Sequence, residues 1–167
     1  MIIGIVCTDK NWGIGKKNDL LFHLNKDMEF FKNTTMDSIV FLGWNTLLSF
    51  PGSKPLNQRS TICLCPEGVE RDDCFCIHDF NQAVKLVKEI AKTKNVYVIG
   101  GGMLYNSMLP YYDEVLVTKV DADGGAEVFF PNLDENPDFD GKPIGGPVQD
   151  GGYNTQFWMY KRTTTNE

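Results

Sequence analysis

Four consecutive apolar residues, Val96-Tyr97-Val98-Ile99, run directly into three glycines, Gly100-Gly101-Gly102, and then into a short helical pattern that stops before Pro110. An apolar run without alternation reads as a strand buried on both faces, the situation of a strand in a parallel sheet. The remainder of the chain keeps to that plan. Met1–Thr8, Ser38–Leu42, Arg59–Cys65, Cys74–Ile77, Glu114–Asp121 and Gln156–Arg162 read as strands. Helices are expected from about Asn25 to Asn33, in a short piece ending at Phe50, and from Asp79 onward. In the last of these Phe80, Ala83, Val84, Val87, Ile90 and Ala91 line one face, with Asp79 and Gln82 as a capping box. Asn25 is expected to cap the first helix. Asp9–Leu24 reads as a long glycine-bearing loop, and Asp134–Gly152 as loop-rich. Without repeats or linkers, the reading is a single α/β domain over residues 1–167. Its central sheet is mostly parallel, with helices on both faces and an antiparallel C-terminal hairpin.

Charge restricts the partners. The 167 residues carry a net charge of −6, which argues against a nucleic-acid backbone as ligand. The excess is local: from Asp113 to Gly152 ten acidic residues face two lysines, and the rest of the chain is slightly basic. That basic remainder can receive a small anion, and the acidic stretch reads as a solvated face. No apolar run approaches a membrane span and no leader pattern opens the chain, so a cytoplasmic location is expected. Of the five cysteines, Cys63, Cys65, Cys74 and Cys76 form two Cys-x-Cys pairs among apolar neighbours. That is not the usual zinc spacing, so they are expected to be buried, reduced and structural, with no metal.

Chemistry concentrates at a few positions. Two strand–glycine–helix junctions, Leu42-Gly43-Trp44-Asn45-Thr46 and Ile99-Gly100-Gly101-Gly102, expose helix N-termini that together suit a pyrophosphate, although each alone reads more simply as a turn. Asp27 falls in the first turn of a helix with Met28 and Phe31 beside it. Spacing alone favours a solvent-facing Asp there, whereas an apolar pocket would raise its pKa. Arg59 opens a strand and offers a bidentate fork to a carboxylate.

In order and spacing, the following pieces resemble dihydrofolate reductase over nearly the whole chain: Ile2 to Cys7, Trp12-Gly13-Ile14-Gly15, Leu24 with Asp27 and Phe31, Gly43 with Thr46, Pro55-Leu56 with Arg59, Ile99 to Gly102 with Tyr105, Leu116-Val117-Thr118 and Phe130-Pro131. The resemblance implies that family's three-layer fold and hydride transfer from NADPH to 7,8-dihydrofolate, an antifolate target in one-carbon metabolism. It further implies that Asp27 is the pocket's only carboxylate, supported by the Thr118 hydroxyl. Ile5, Val6, Met28, Phe31, Phe50, Leu56 and Ile99 form the wall, and Arg59 holds the substrate's α-carboxylate. Cys7, Ile14 and Gly15 border the nicotinamide, with the loop from Asn11 to Phe22 as a lid. Gly43, Trp44, Asn45, Thr46, Leu64, Cys65, His78, Gly100, Gly101, Gly102, Met103, Leu104 and Tyr105 receive the rest of the cofactor, and the Gly100–Gly101 bond is cis. A monomer binding only small molecules is implied.

Two departures stand out. Leu21-Phe22 replaces the family's usual Pro-Trp, so Phe22 keeps a ring at the catalytic edge without its N–H donor. At the positions where the family reads the cofactor's 2′-phosphate stand Trp44, Asn45, Cys65, Pro66 and Met103, with His78 nearby and no evident cation. NADPH use with unusual tolerance of NADH is therefore expected. The residues leave two other readings open: the related pyrimidine reductase of riboflavin synthesis, and a pteridine- or nucleotide-binding protein without turnover.

Overall fold

The computed structural model describes residues 1–17 and 19–163. The expected lid passes through Asn18 and the expected domain runs on to Glu167; position 18 and positions 164–167 lie outside the described residues. The elements follow in the order β1 (Ile2–Thr8), β2 (Gly13–Gly15), α1 (Asn25–Thr35), β3 (Ile39–Gly43), α2 (Trp44–Ser49), β4 (Ser60–Leu64), β5 (Phe75–Ile77), α3 (Phe80–Ala91), β6 (Val96–Val98), α4 (Gly102–Ser107), β7 (Glu114–Val120), β8 (Val128–Phe129), β9 (Phe139–Asp150) and β10 (Tyr153–Arg162). Eight strands form one sheet in the order β5-β4-β3-β6-β1-β7-β10-β9. The pairings from β5 through to β7 are parallel, and β10 and β9 join antiparallel.

Strand alternation sorts the core into two layers. On β1, Ile2 and Val6 join the cluster under α3 and α4, while Ile3 and Ile5 join the one under α1 and α2. The β-branched run suits a strand covered on both sides. Asp79 caps α3 as expected, its carboxylate accepting the Gln82 N–H at 3.0 Å. Ala83, Val84 and Val87 are its buried stripe.

Three expectations are corrected. Asp134–Gly152 is not mainly loop: β9 is a strand of 12 residues. It lies at the edge of the sheet, mostly exposed, where Pro143, Pro147 and polar residues are tolerated because no further strand needs their N–H groups. Asn25 does not cap α1. Leu24 holds the cap position without a side-chain bond, and the Asp150 carboxylate accepts the Asp27 N–H at 3.0 Å instead. The loop after β1 contains β2, which pairs with β8.

The cysteines are free, with Cys63 opposite Cys76 across β4 and β5. Burial pushes the Cys63 thiol up to about 11 and Cys74 up to about 12. Protonated thiols are poor metal ligands, and no metal-holding cluster occurs among the described residues.

The hairpin packs tightly where Gly141 faces Tyr160. A Cβ at Gly141 would lie 2.3 Å from the Tyr160 ring, which is 1% exposed and donates its hydroxyl to Asp134 at 2.6 Å. Gly141→Ala is therefore expected to destabilise the fold by about 2–3 kcal/mol, lowering Tm by roughly 5–10 °C in a thermal melt. An unchanged Tm would show that the hairpin is looser than this contact implies.

Candidate active site

The helix α1 is seated on the sheet by Phe30, whose ring lies 4.5 Å from that of Phe157 on β10. Phe157 stands opposite Thr118 on β7, and Thr118 stands opposite Cys7 on β1. The first turn of α1 therefore hangs over the Cys7–Thr118 step. There the Thr118 hydroxyl donates to Asp27 Oδ1 at 2.6 Å. Burial raises the Asp27 pKa above the ordinary carboxylate value. The Thr118 bond pulls it down, the charge of Asp150 pushes it up again, and the Cys7 thiol pulls it back in part. The net direction is upward, so this carboxyl holds its proton more firmly than an exposed one. Burial, followed by the charge of Asp27, pushes the Cys7 thiol up as well.

Asp27 is not the only carboxylate here. Asp150, at the end of β9, is 6% exposed and supplies both a hydrogen-bond acceptor for the helix start and a negative charge. Nothing in its local sequence marks it, because the contact spans 123 positions.

Ile5, Phe31, Phe50, Leu56 and Ile99 gather in one apolar cluster on this face of the sheet. Val6 does not belong to it. One residue out of phase on β1, its side chain packs in the opposite layer with Trp12 and Tyr105. Met28 is 53% exposed at the rim. Phe22 rests edge-on against Tyr153, with ring centres 4.8 Å apart.

Arg59 sits at the other end of α1. Its Nε donates to Thr35 Oγ1 at 3.1 Å, Nη1 to the Asn57 carbonyl at 2.6 Å and Nη2 to the Lys32 carbonyl at 3.0 Å. Three of the five guanidinium N–H groups are thus used for positioning, and two remain, enough to grip a carboxylate. Thr35, fully buried, is a positioning residue that the sequence gave no reason to single out. Along the helix, Asp27 and Thr35 are separated by about 12 Å.

The two glycine junctions meet. The Gly43 N–H donates to the Gly100 carbonyl at 2.9 Å, and the Gly100–Gly101 bond is cis. A Cβ on Gly101 would come within 3.1 Å of Thr46 Oγ1, and one on Gly102 within 2.3 Å of Val128. Bare backbone is thus required where the junctions approach each other. Tyr105 donates its buried hydroxyl to the Ile5 carbonyl at 2.7 Å, tying α4 to β1, and Leu104 is buried beside it. Met103 is 82% exposed. Ile14 on β2 reaches the Gly102 backbone from the lid side, and the Gly15 carbonyl accepts the Glu127 N–H at 2.8 Å.

Asp9 anchors the base of the loop after β1. Its buried carboxylate accepts the N–H groups of Asn11 at 2.9 Å, Gly13 at 2.7 Å and Gly124 at 3.0 Å. Toward the outer strands, Leu64 turns to the α3 layer while Cys65 and Trp44 stay in the α1 layer. His78 faces the Val69 carbonyl at 2.7 Å. Asn45 follows Trp44 in the first turn of α2.

A half-buried acid at the start of α1 and close-set glycine turns at the carboxyl ends of parallel strands suit an α/β enzyme that works on a small molecule with a nucleotide cofactor. The family model described as Dihydrofolate reductase matches residues 1–162. The dihydrofolate reductase of Staphylococcus haemolyticus is 32% identical over 78% of this chain and 78% of its own length. That of Bacillus subtilis is 27% identical over 100% of this chain and 98% of its own. Among solved structures, the dihydrofolate reductase of Enterococcus faecalis complexed with NADP(H) superimposes with a TM-score of 0.82 at 24% identity, covering 98% of this chain and 97% of that one. The chain belongs to the dihydrofolate reductase family.

Proposed function

We propose that this chain reduces 7,8-dihydrofolate to 5,6,7,8-tetrahydrofolate with NADPH, with Asp27 and Arg59 fixing the two ends of the substrate. The observation that carries this assignment is the geometry of α1. A carboxyl at its start and a guanidinium anchored on Thr35 about 12 Å further along the helix match a ligand with a pterin head and a carboxylate tail. The family match goes to dihydrofolate reductase rather than to the riboflavin-pathway reductase, whose ribityl substrate has no carboxylate for Arg59 to hold.

Asp27 accepts from the N3 and 2-amino edge of the pterin and promotes protonation at N5. Thr118 orients the carboxyl, and Asp150 supports its high proton affinity. Ile5, Phe31, Phe50, Leu56 and Ile99 enclose the ring and exclude water. The junction of Gly43, Gly100, Gly101 and Gly102, with Thr46, is where a pyrophosphate would lie, against the starts of α2 and α4. Cys7, Ile14 and Gly15 lie where a nicotinamide would meet the substrate. When bound, the reduced nicotinamide supplies the hydride that C6 accepts. Alignment and dryness are the protein's contribution.

The same reading takes the chain as one domain, a cytoplasmic monomer without nucleic-acid partners. Its support is one continuous sheet and the acidic net charge. No helix among the described residues is long and apolar enough to cross a membrane. Loss of absorbance at 340 nm with NADPH and dihydrofolate tests the assignment. Binding of both without turnover would leave a pteridine-binding protein instead.

A further inference from the structure

The sequence places no cation where the cofactor's extra phosphate should lie. The fold brings one beside Trp44 from the loop after β4. Arg71, in the loop between β4 and β5, lays its guanidinium over the ring of Trp44, 5.8 Å from the ring centre. Trp44 follows Gly43 directly and opens α2. Arg71 is held on two sides. Its Nε and Nη2 donate to the two carboxylate oxygens of Asp73 at 2.8 and 2.6 Å, and Nη2 also donates to the Ser53 carbonyl at 2.7 Å. Nη1 has no partner among the described residues. The group lines an open hollow of about 530 Å³ with Glu70, Asp72 and Asp73, in which it is the only cation. The nearby His78 is otherwise engaged, with its ring 2.7 Å from the Val69 carbonyl and 3.3 Å from Glu70.

Resting on the reading of the chain as an NADPH-dependent reductase, we propose that Arg71 reads the 2′-phosphate of the cofactor and that Asp73 holds its guanidinium in place while limiting the preference over NADH. A planar guanidinium fixed on one edge presents the other to a phosphate at little entropic cost. The carboxylates around the hollow repel a dianion and leave an unphosphorylated ribose largely unaffected, so the preference for the phosphorylated cofactor is moderate. The arrangement assigns selectivity to one ion pair outside the glycine junctions.

The test is nucleotide binding to the whole chain, followed by tryptophan fluorescence or calorimetry, with adenosine 2′,5′-bisphosphate and 5′-AMP as probes and NADPH and NADH as the full cofactors. Wild type should bind the bisphosphate more tightly than AMP. Arg71→Gln should weaken the bisphosphate and NADPH by about tenfold or more and leave AMP and NADH unchanged. Arg71→Lys should restore part of the difference. Asp73→Asn should tighten the bisphosphate a few-fold without affecting AMP. An Arg71→Gln protein that keeps the wild-type ratio, or that loses both nucleotides equally, overturns the assignment. A wild type that binds neither NADPH nor NADH overturns the cofactor reading and this assignment together.

Discussion

Asp27→Asn is expected to lower kcat with dihydrofolate by roughly 10²–10⁴-fold at neutral pH while making the folded protein more stable. The loss follows from the site's economy. Asp27 is the one carboxyl that the Thr118 hydroxyl orients and whose proton affinity burial raises. An amide preserves the shape and can still accept from Thr118, but it cannot ionise, so it neither pairs as a carboxylate with the N3 and 2-amino edge nor promotes protonation at N5. In the wild type the rate should fall as pH climbs past the raised pKa, because the carboxyl then empties. The residual rate of the variant should lack that titration. An Asp27→Asn protein with near-native turnover would mean that the proton reaches N5 by a route that does not involve this group.

The gain in stability has a definite sign. The folded-state pKa of Asp27 lies above its ordinary value, chiefly through burial and then through the charge of Asp150. Native protein therefore binds this proton more tightly than unfolded chain does, and stability decreases as pH rises between the two values. Above the raised pKa the full penalty of a buried negative charge applies, and Asn removes it. The gain is expected at pH 7 as a higher Tm of the variant. It should vanish below the ordinary carboxylate range, where both states of the wild type are protonated. Melting curves of the two proteins at pH 7 and pH 4 test this, and a variant less stable at pH 7 would contradict it.

The residues that the sequence did not reveal share a cause. The succession of strands and helices, the two glycine junctions and the α3 cap depend on patterns within ten or so neighbouring positions, and these were readable. Asp27 was readable as a site residue only through the family resemblance, since spacing alone turned it toward solvent. Asp150, Thr35 and Arg71 act through contacts made by the fold. Asp150 caps a helix 123 positions away, from an edge strand whose glycines and prolines disguise it as loop. Thr35 lies 24 positions from the guanidinium it steadies. Arg71 meets Trp44 because the loop after β4 folds back over α2. Val6, which the resemblance put in the wall beside Ile5, faces the opposite layer because adjacent strand residues alternate sides.

At the far end of α1, Arg59→Gln is expected to raise KM for dihydrofolate about 100-fold and leave kcat within roughly twofold. The two remaining N–H groups of Arg59 would grip the tail carboxylate equally in ground and transition states, because the tail is remote from the bond that changes. Uniform binding of that kind enters KM and leaves the chemical step untouched. The size follows from losing a charge-assisted pair whose donor is already fixed by Thr35, Asn57 and Lys32, so little ordering entropy offsets the bond. A substrate truncated to its pteroyl portion separates this from a structural effect. It should bind wild type weakly and show no further loss in the variant. If Arg59→Gln weakened the truncated substrate as much as the complete one, Arg59 would be shaping the pocket through Thr35 and the end of α1, and the tail would be held by another group.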